Sequence, residues 1–186
     1  MGLLMLTQIH AANGQTLNLD STYFYEVNQK EFLQVENLSG ENGLVVIFTS
    51  SFCPYCSLYE ERILQVKSQY DSLGINFVLV NSNNSVGINI ETIEGMRTES
   101  KRLGISYVSD QNHAVMNALQ ATKNPEIIVL RPIHGGFEKA YQGSVDDSPK
   151  DSDSVSEEYL KMVLDNLVRG MPSPIKRTHP VGCRIR

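Results

Sequence analysis

Apolar and polar positions follow two different rhythms along this chain, and the changes between them mark out its elements. Leu44-Val45-Val46-Ile47-Phe48-Thr49 is an apolar, β-branched and aromatic run introduced by Gly40-Glu41-Asn42-Gly43, which predicts a strand buried on both faces. Directly after it, Cys56, Tyr59, Ile63, Val66 and Tyr70 recur at spacings of three and four, with Glu60, Glu61 and Lys67 off that face. That is an amphipathic helix ending before Gly74. Ile75 to Val80 is again a strand pattern, so the order is β-α-β, the two strands are expected to be parallel, and the class is α/β.

Downstream, Asn81 to Asn89 reads as a polar surface loop, followed by a helix carrying Ile93, Met96 and Leu103 that Gly104 closes. A further helix is expected from Asp110 as N-cap, burying Val115, Ala118 and Leu119. Asn124-Pro125 opens a strand over Glu126 to Leu130, and Gly135-Gly136 turns it back into Phe137 to Tyr141. Asp146 to Ser156 reads as an exposed acidic loop. Ser154 and Glu157 form a capping box for a last helix whose apolar face is Leu160, Val163, Leu164, Leu167 and Val168. At the start, Leu6 to Ile9, the Asn13-Gly14 turn and Thr16 to Leu19 read as a hairpin.

Composition narrows the class. The 186 residues are 41% hydrophobic and 20% charged, which suits one globular domain and excludes a disordered chain or a membrane span. Sixteen Lys and Arg against 21 Asp and Glu, a net charge of -5, disfavour nucleic acid as a partner. Gly2 to Leu6 is too short an apolar stretch, with no basic residue before it, for a secretory signal. The expected compartment is the cytoplasm, or the periplasm should the true start lie upstream.

Three cysteines are too few for a disulfide scaffold. Two of them, in Cys53-Pro54-Tyr55-Cys56, fall where a buried strand meets a helix. The unpaired N–H groups and positive dipole end of that helix favour a thiolate at Cys53 and make it the nucleophile, with Cys56 one turn in as the resolving thiol. Pro54 suits the first helical turn. This chemistry needs no cofactor.

Strand, Phe52-Cys53-Pro54-Tyr55-Cys56, helix, strand, and then a proline opening a strand that leads into a hairpin together resemble the thioredoxin superfamily. The resemblance implies a thioredoxin-like α/β fold: a central mixed sheet flanked by helices, with an N-terminal hairpin and a helical insertion at 81–103. It implies a single domain over 1–186, with a core at about 5–170 and a C-terminal tail at 171–186. It also implies that Pro125 is cis, lies against the cysteine pair and shapes the substrate groove, an X-Pro bond being the one kind that readily adopts this form. The insertion, the N-terminal hairpin and the tail Pro180-Val181-Gly182-Cys183 are similar to the redoxin, peroxiredoxin-like branch. Protein disulfides or dithiols and an upstream redox donor are then the implied partners. The chain departs from its relatives at Ile47, where thioredoxins carry a buried acid, and at Phe52, where they carry tryptophan, so the proton acceptor for Cys56 has no candidate in the sequence. It lacks the glutathione-clamping motif of glutaredoxins after Pro125. It carries Val46 where a peroxiredoxin motif needs proline, although Ser50 matches.

Two alternatives stand beside a thiol–disulfide oxidoreductase. His179 and Cys183 could complete a four-ligand zinc set with Cys53 and Cys56 in an interaction module. Cys183 could instead resolve Cys53 in a peroxide reductase. By default Cys183 is an idle or packed thiol, and His113 and His134 are surface residues.

Overall fold

The structure, a computed structural model, describes residues 16–19, 22–83, 91–110 and 112–186. The first arm and turn of the expected N-terminal hairpin lie outside them, as do residues 84–90 of the expected polar loop. In chain order the elements are β1 (Thr16–Leu17), β2 (Tyr23–Glu26), β3 (Glu31–Gln34), α1 (Val35–Leu38), β4 (Gly43–Phe48), α2 (Pro54–Tyr70), β5 (Ile75–Asn81), α3 (Ile93–Leu103), β6 (Ser106–Ser109), α4 (Ala114–Leu119), β7 (Lys123–Asn124), β8 (Glu126–Ile133), β9 (Gly136–Gly143), α5 (Tyr159–Val168) and β10 (Cys183–Arg184).

Among the described residues the main sheet has the order β1-β9-β8-β4-β5-β6-β2-β3, and β10 pairs separately with β7. The β4/β5 and β5/β6 pairs are parallel, and β8 runs antiparallel to β4, so the sheet is mixed and thioredoxin-like. Every residue of β4 is buried, as a strand covered on both faces requires. Its side chains alternate between two cores. Val45 and Ile47 join Tyr59 and Ile63 of α2, Met96 of α3 and Leu160, Val163, Leu164 and Leu167 of α5. Leu44, Val46 and Phe48 face Val35 and Leu38 of α1, Val115 and Leu119 of α4, and Ile185 of the tail. Cys53 lies on the short turn between β4 and α2, so this doubly packed strand fixes where the cysteine sits.

Several expectations change in detail. The 81–103 segment also carries a crossover: α3 leads into β6, a strand parallel to β5 that periodicity did not mark. Gly104 closes α3 at φ 63°, a left-handed conformation that glycine adopts without steric penalty. Asp110 is not the N-cap of α4, which His113 occupies; its buried carboxylate instead accepts from the Val115 and Met116 amides at 3.1 and 2.9 Å. The Ser154–Glu157 capping box does not form, because α5 begins only at Tyr159 and Ser154 closes a 3-10 turn whose hydroxyl donates to Asp151. Asp146 is buried rather than exposed and accepts from Arg62. His113 is half-buried, with an unpartnered Nε2, whereas His134 is exposed as expected.

The tail is an ordered part of the fold. Gln142 N donates to Lys176 O and Thr178 N to Gln142 O, both at 3.1 Å. The Thr178 hydroxyl accepts from Ser144 N at 2.9 Å and meets the Tyr141 hydroxyl at 2.5 Å. Backbone pairing of this kind depends on tertiary position and leaves no periodic trace in side chains.

Candidate active site

Cys53 is the N-cap of α2 and Pro54 its first helical residue. The turn is closed by Cys53 N donating to Ser50 O and Cys56 N donating to Cys53 O, each at 3.0 Å. Proline is tolerated there because the first helical amide has no intrahelical acceptor. Cys53 is only 2% exposed, and its sulfur lies 2.9 Å from the Asn124 carbonyl oxygen. The Asn124–Pro125 peptide is cis, and Pro125 is buried against the cysteine turn.

The segment before Pro125 is braced by one side chain. Glu126, 1% exposed, accepts from Thr122 N at 2.7 Å, Lys123 N at 3.0 Å and Gln142 Nε2 at 2.6 Å. A buried carboxylate with several donors is stable only because each donor offsets part of its desolvation. Asn124 is tied separately, its Nδ2 donating to Asn83 at 3.1 Å.

Cys183 is neither idle nor merely packed: it forms a disulfide with Cys53, the Cα atoms 5.9 Å apart. β10 brings it there by pairing antiparallel with β7, Cys183 opposite Asn124 and Arg184 opposite Lys123. Cys56 keeps a free thiol. The proposed zinc set of Cys53, Cys56, His179 and Cys183 is therefore not assembled. Two of its sulfurs are bonded to each other, the His179 carbonyl serves as acceptor for Ser144 Oγ, and no group of three or more His, Cys, Asp and Glu able to hold a metal ion occurs among the described residues.

Burial raises the pKa of the Cys56 thiol, hydrogen bonds with Thr49 and Ser50 pull it partly back, and the nearby charge of Glu91 pushes it up again. Glu91 sits where β5 and the start of α3 come together. It accepts from Ser51 N and Oγ at 3.2 and 2.5 Å, from Asn81 Nδ2 at 2.7 Å and from the Tyr107 hydroxyl at 3.1 Å. Burial and the same carboxylate push the Tyr107 phenol well up. A cavity of about 360 Å³ opens beside these groups, lined among others by Cys56, Ser51, Glu60, Arg102, Tyr107 and Pro125. Arg102 at its edge is held by Glu60 at 2.6 and 2.7 Å and by Glu99 at 2.6 Å, and its hydrogen bonds hold the Glu60 carboxyl below the usual range.

The structure thus brings together Cys53, Cys56 and Pro125 with Cys183, which the sequence offered only in the alternative readings, and adds Glu91 and Glu126. The two acids carry no local signal. The importance of each arises from the donors that the fold gathers around it. The only hint in the sequence is the missing acid at Ile47.

The fold recurs in solved structures. An uncharacterized conserved protein from Geobacillus kaustophilus superposes with TM-score 0.79 at 24% identity, covering 93% of this chain and 90% of that one. A hypothetical protein from Sinorhizobium meliloti 1021 does so with TM-score 0.79 at 22% identity, covering 94% of each chain. A thiol:disulfide interchange protein of the thioredoxin family from Chlorobium tepidum TLS gives TM-score 0.59 at 16% identity, covering 85% of this chain and 99% of that one. No curated protein matches the chain in sequence. The Redoxin family model matches residues 16–131, a span that contains the Cys53 turn, β4 to β7 and Pro125, and this chain belongs to the Redoxin family, a branch of the thioredoxin superfamily.

Proposed function

We propose that this protein is a thiol–disulfide oxidoreductase acting on protein disulfides, with Cys53 as nucleophile, Cys56 as resolving thiol and Pro125 shaping the groove. The observation that carries this is the disulfide of Cys53 with a cysteine on an extended strand across Asn124–Pro125, while Cys56 waits one turn into α2 as a free thiol. That is the arrangement of a mixed disulfide before its resolution.

In the forward direction the Cys53 thiolate attacks one sulfur of a substrate disulfide. A Cys53–substrate bond forms, and the other substrate sulfur leaves with the electron pair and takes a proton. Cys56, once deprotonated, attacks the Cys53 sulfur, forming the Cys53–Cys56 disulfide and releasing the second substrate sulfur as a thiolate. Two electrons have passed to the substrate, and a dithiol donor returns them. High effective concentration favours the second step because the two cysteines share one helical turn. Among the described residues no helix is long and apolar enough to cross a membrane.

The test is exchange with a reporter protein disulfide. Cys53→Ser is expected to abolish it, and Cys56→Ser to accumulate a mixed disulfide at Cys53. Equal residual activity in both variants would overturn the proposal.

The Cys53–Cys183 bond also favours a second possibility, peroxide reduction. There the Cys53 thiolate would take one peroxide oxygen to become a sulfenic acid, releasing the other oxygen as alkoxide or hydroxide. Cys183 would then attack the sulfenic sulfur to form the observed disulfide, with loss of hydroxide. Peroxide consumption that survives Cys56→Ser but not Cys183→Ser would identify it.

A further inference from the structure

The tail does more than supply a sulfur, for it occupies the groove as an added strand. Cys183 lies opposite Asn124, Arg184 opposite Lys123, and Ile185 N donates to Thr122 O at 3.1 Å. The three residues it pairs with are the ones Glu126 and Asn83 hold in place, so the template is rigid and its hydrogen bonds are to main chain. Any extended segment could satisfy them.

Side chains make the groove selective at two positions. A Cβ at Gly182 would stand 2.1 Å from Asn124 O, 2.7 Å from Asn124 C and 3.0 Å from Pro125 N. These are backbone atoms at a braced segment, so the clash cannot be relieved by turning a side chain aside. On the other side of the cysteine, Arg184 is exposed, but Ile185 is 8% exposed within the apolar cluster that includes Leu119 and Ala121. The groove therefore reads four consecutive positions: glycine, the reacting cysteine, any residue, and an aliphatic side chain.

We infer that the tail is an internal copy of the substrate, and that the protein acts on extended segments of other proteins in which the target cysteine follows glycine and precedes an aliphatic residue by two. This deepens the proposed function and rests on Cys53 as the nucleophile. The tail fills the groove between encounters, and a substrate strand enters as β10 leaves β7. Such a substrate forms the bond to Cys53 that Cys183 forms here, and Cys56 breaks either one.

The test uses the full-length chain with Cys56→Ser and Cys183→Ser, so that Cys53 is its single reactive thiol and products cannot resolve. The probe is the peptide Pro-Val-Gly-Cys-Arg-Ile-Arg with its cysteine activated as a disulfide with thionitrobenzoate. Cys53 attacks the peptide sulfur, the protein–peptide disulfide forms, and coloured thionitrobenzoate leaves with the electron pair. Two companion peptides carry valine in place of the glycine and aspartate in place of the isoleucine. The tail still competes for the groove, but equally against all three, so their ratio is unaffected. The parent peptide is expected to react at least about tenfold faster than the valine peptide and several-fold faster than the aspartate one. Rates within about twofold of each other would overturn the inference while leaving the proposed activity standing. Failure of Cys53 to react with any of the peptides, or with a denatured protein disulfide, would overturn both. An independent check in cis is Gly182→Val, which is expected to prevent the Cys53–Cys183 disulfide on mild oxidation. Mapping that bond intact in the variant would also overturn the inference.

Discussion

The Ser51 hydroxyl donates to the Glu91 carboxylate at 2.5 Å, tying the turn that carries Cys53 to a residue forty positions further along the chain. Ser51 N makes a second bond to the same carboxylate. The charge that bears on Cys56 is therefore held in fixed relation to the cysteine turn itself.

Removing that charge should make Cys56 more acidic. In the Cys53–Cys183 form Cys56 is the only free thiol, so its alkylation rate against pH reads its pKa directly. The wild-type midpoint is expected above the ordinary cysteine range, because burial and then Glu91 raise it, and Glu91→Gln is expected to shift it downward. A midpoint unchanged by the substitution would show that Glu91 does not act on this thiol.

The same shift predicts a pH dependence of stability. A thiol whose pKa is raised by folding favours its protonated form in the native state. Its contribution is fully present below the unfolded-state pKa, about 8.5, and is lost as pH rises through the higher native value. Thermal unfolding of the disulfide form should thus lose stability across that alkaline window, and Cys56→Ala should remove this component of the slope.

Glu126→Ala should be costly for both stability and exchange. It leaves the Thr122 and Lys123 amides without their acceptor and removes one of the two bonds of Gln142 Nε2, which keeps the Gln120 carbonyl, a loss of about 2 kcal/mol or more. Denaturant unfolding should show that loss, and exchange should slow because the template strand before Pro125 is no longer held. Glu126→Gln, which keeps one carbonyl acceptor, should recover part of both.

Thr178→Val should loosen the tail without touching the cysteines. The hydroxyl it removes accepts from Ser144 N and contacts Tyr141, so the effective concentration of Cys183 at Cys53 should fall. Formation of their disulfide from the reduced protein should slow about tenfold, as followed by acid quenching and thiol labelling.

How much of this could be seen in the sequence depended on whether a residue's role is local. The strand around Val46, the helix face of Tyr59, Ile63 and Tyr70, and the start of that helix at Cys53 follow from periodicity and position, and the structure has them close to where they were expected. The β2/β3 hairpin and β6 were not marked. Tyr23 on β2 and Phe32 on the edge strand β3 are exposed aromatics, so no clean alternation of apolar and polar residues distinguishes an inner face. β10 is two residues long and exists because Lys123 and Asn124 offer it partners. Glu91 and Glu126 were not marked for burial and Asp146 was expected in an exposed loop, since burial of a carboxylate is decided by the donors that the fold gathers around it. The free choice at Cys183 was settled by tertiary position alone.

The bond between Cys53 and Cys183 spans 130 positions and closes into one ring all elements from α2 to β10. In chain-entropy terms, a ring of that size removes on the order of 5 kcal/mol worth of disorder from the unfolded ensemble. Oxidation of the tail therefore acts on the unfolded chain far more than on the folded one. A molecule with its groove occupied is topologically restrained against unfolding, and reduction that frees the groove also returns that disorder to the denatured state.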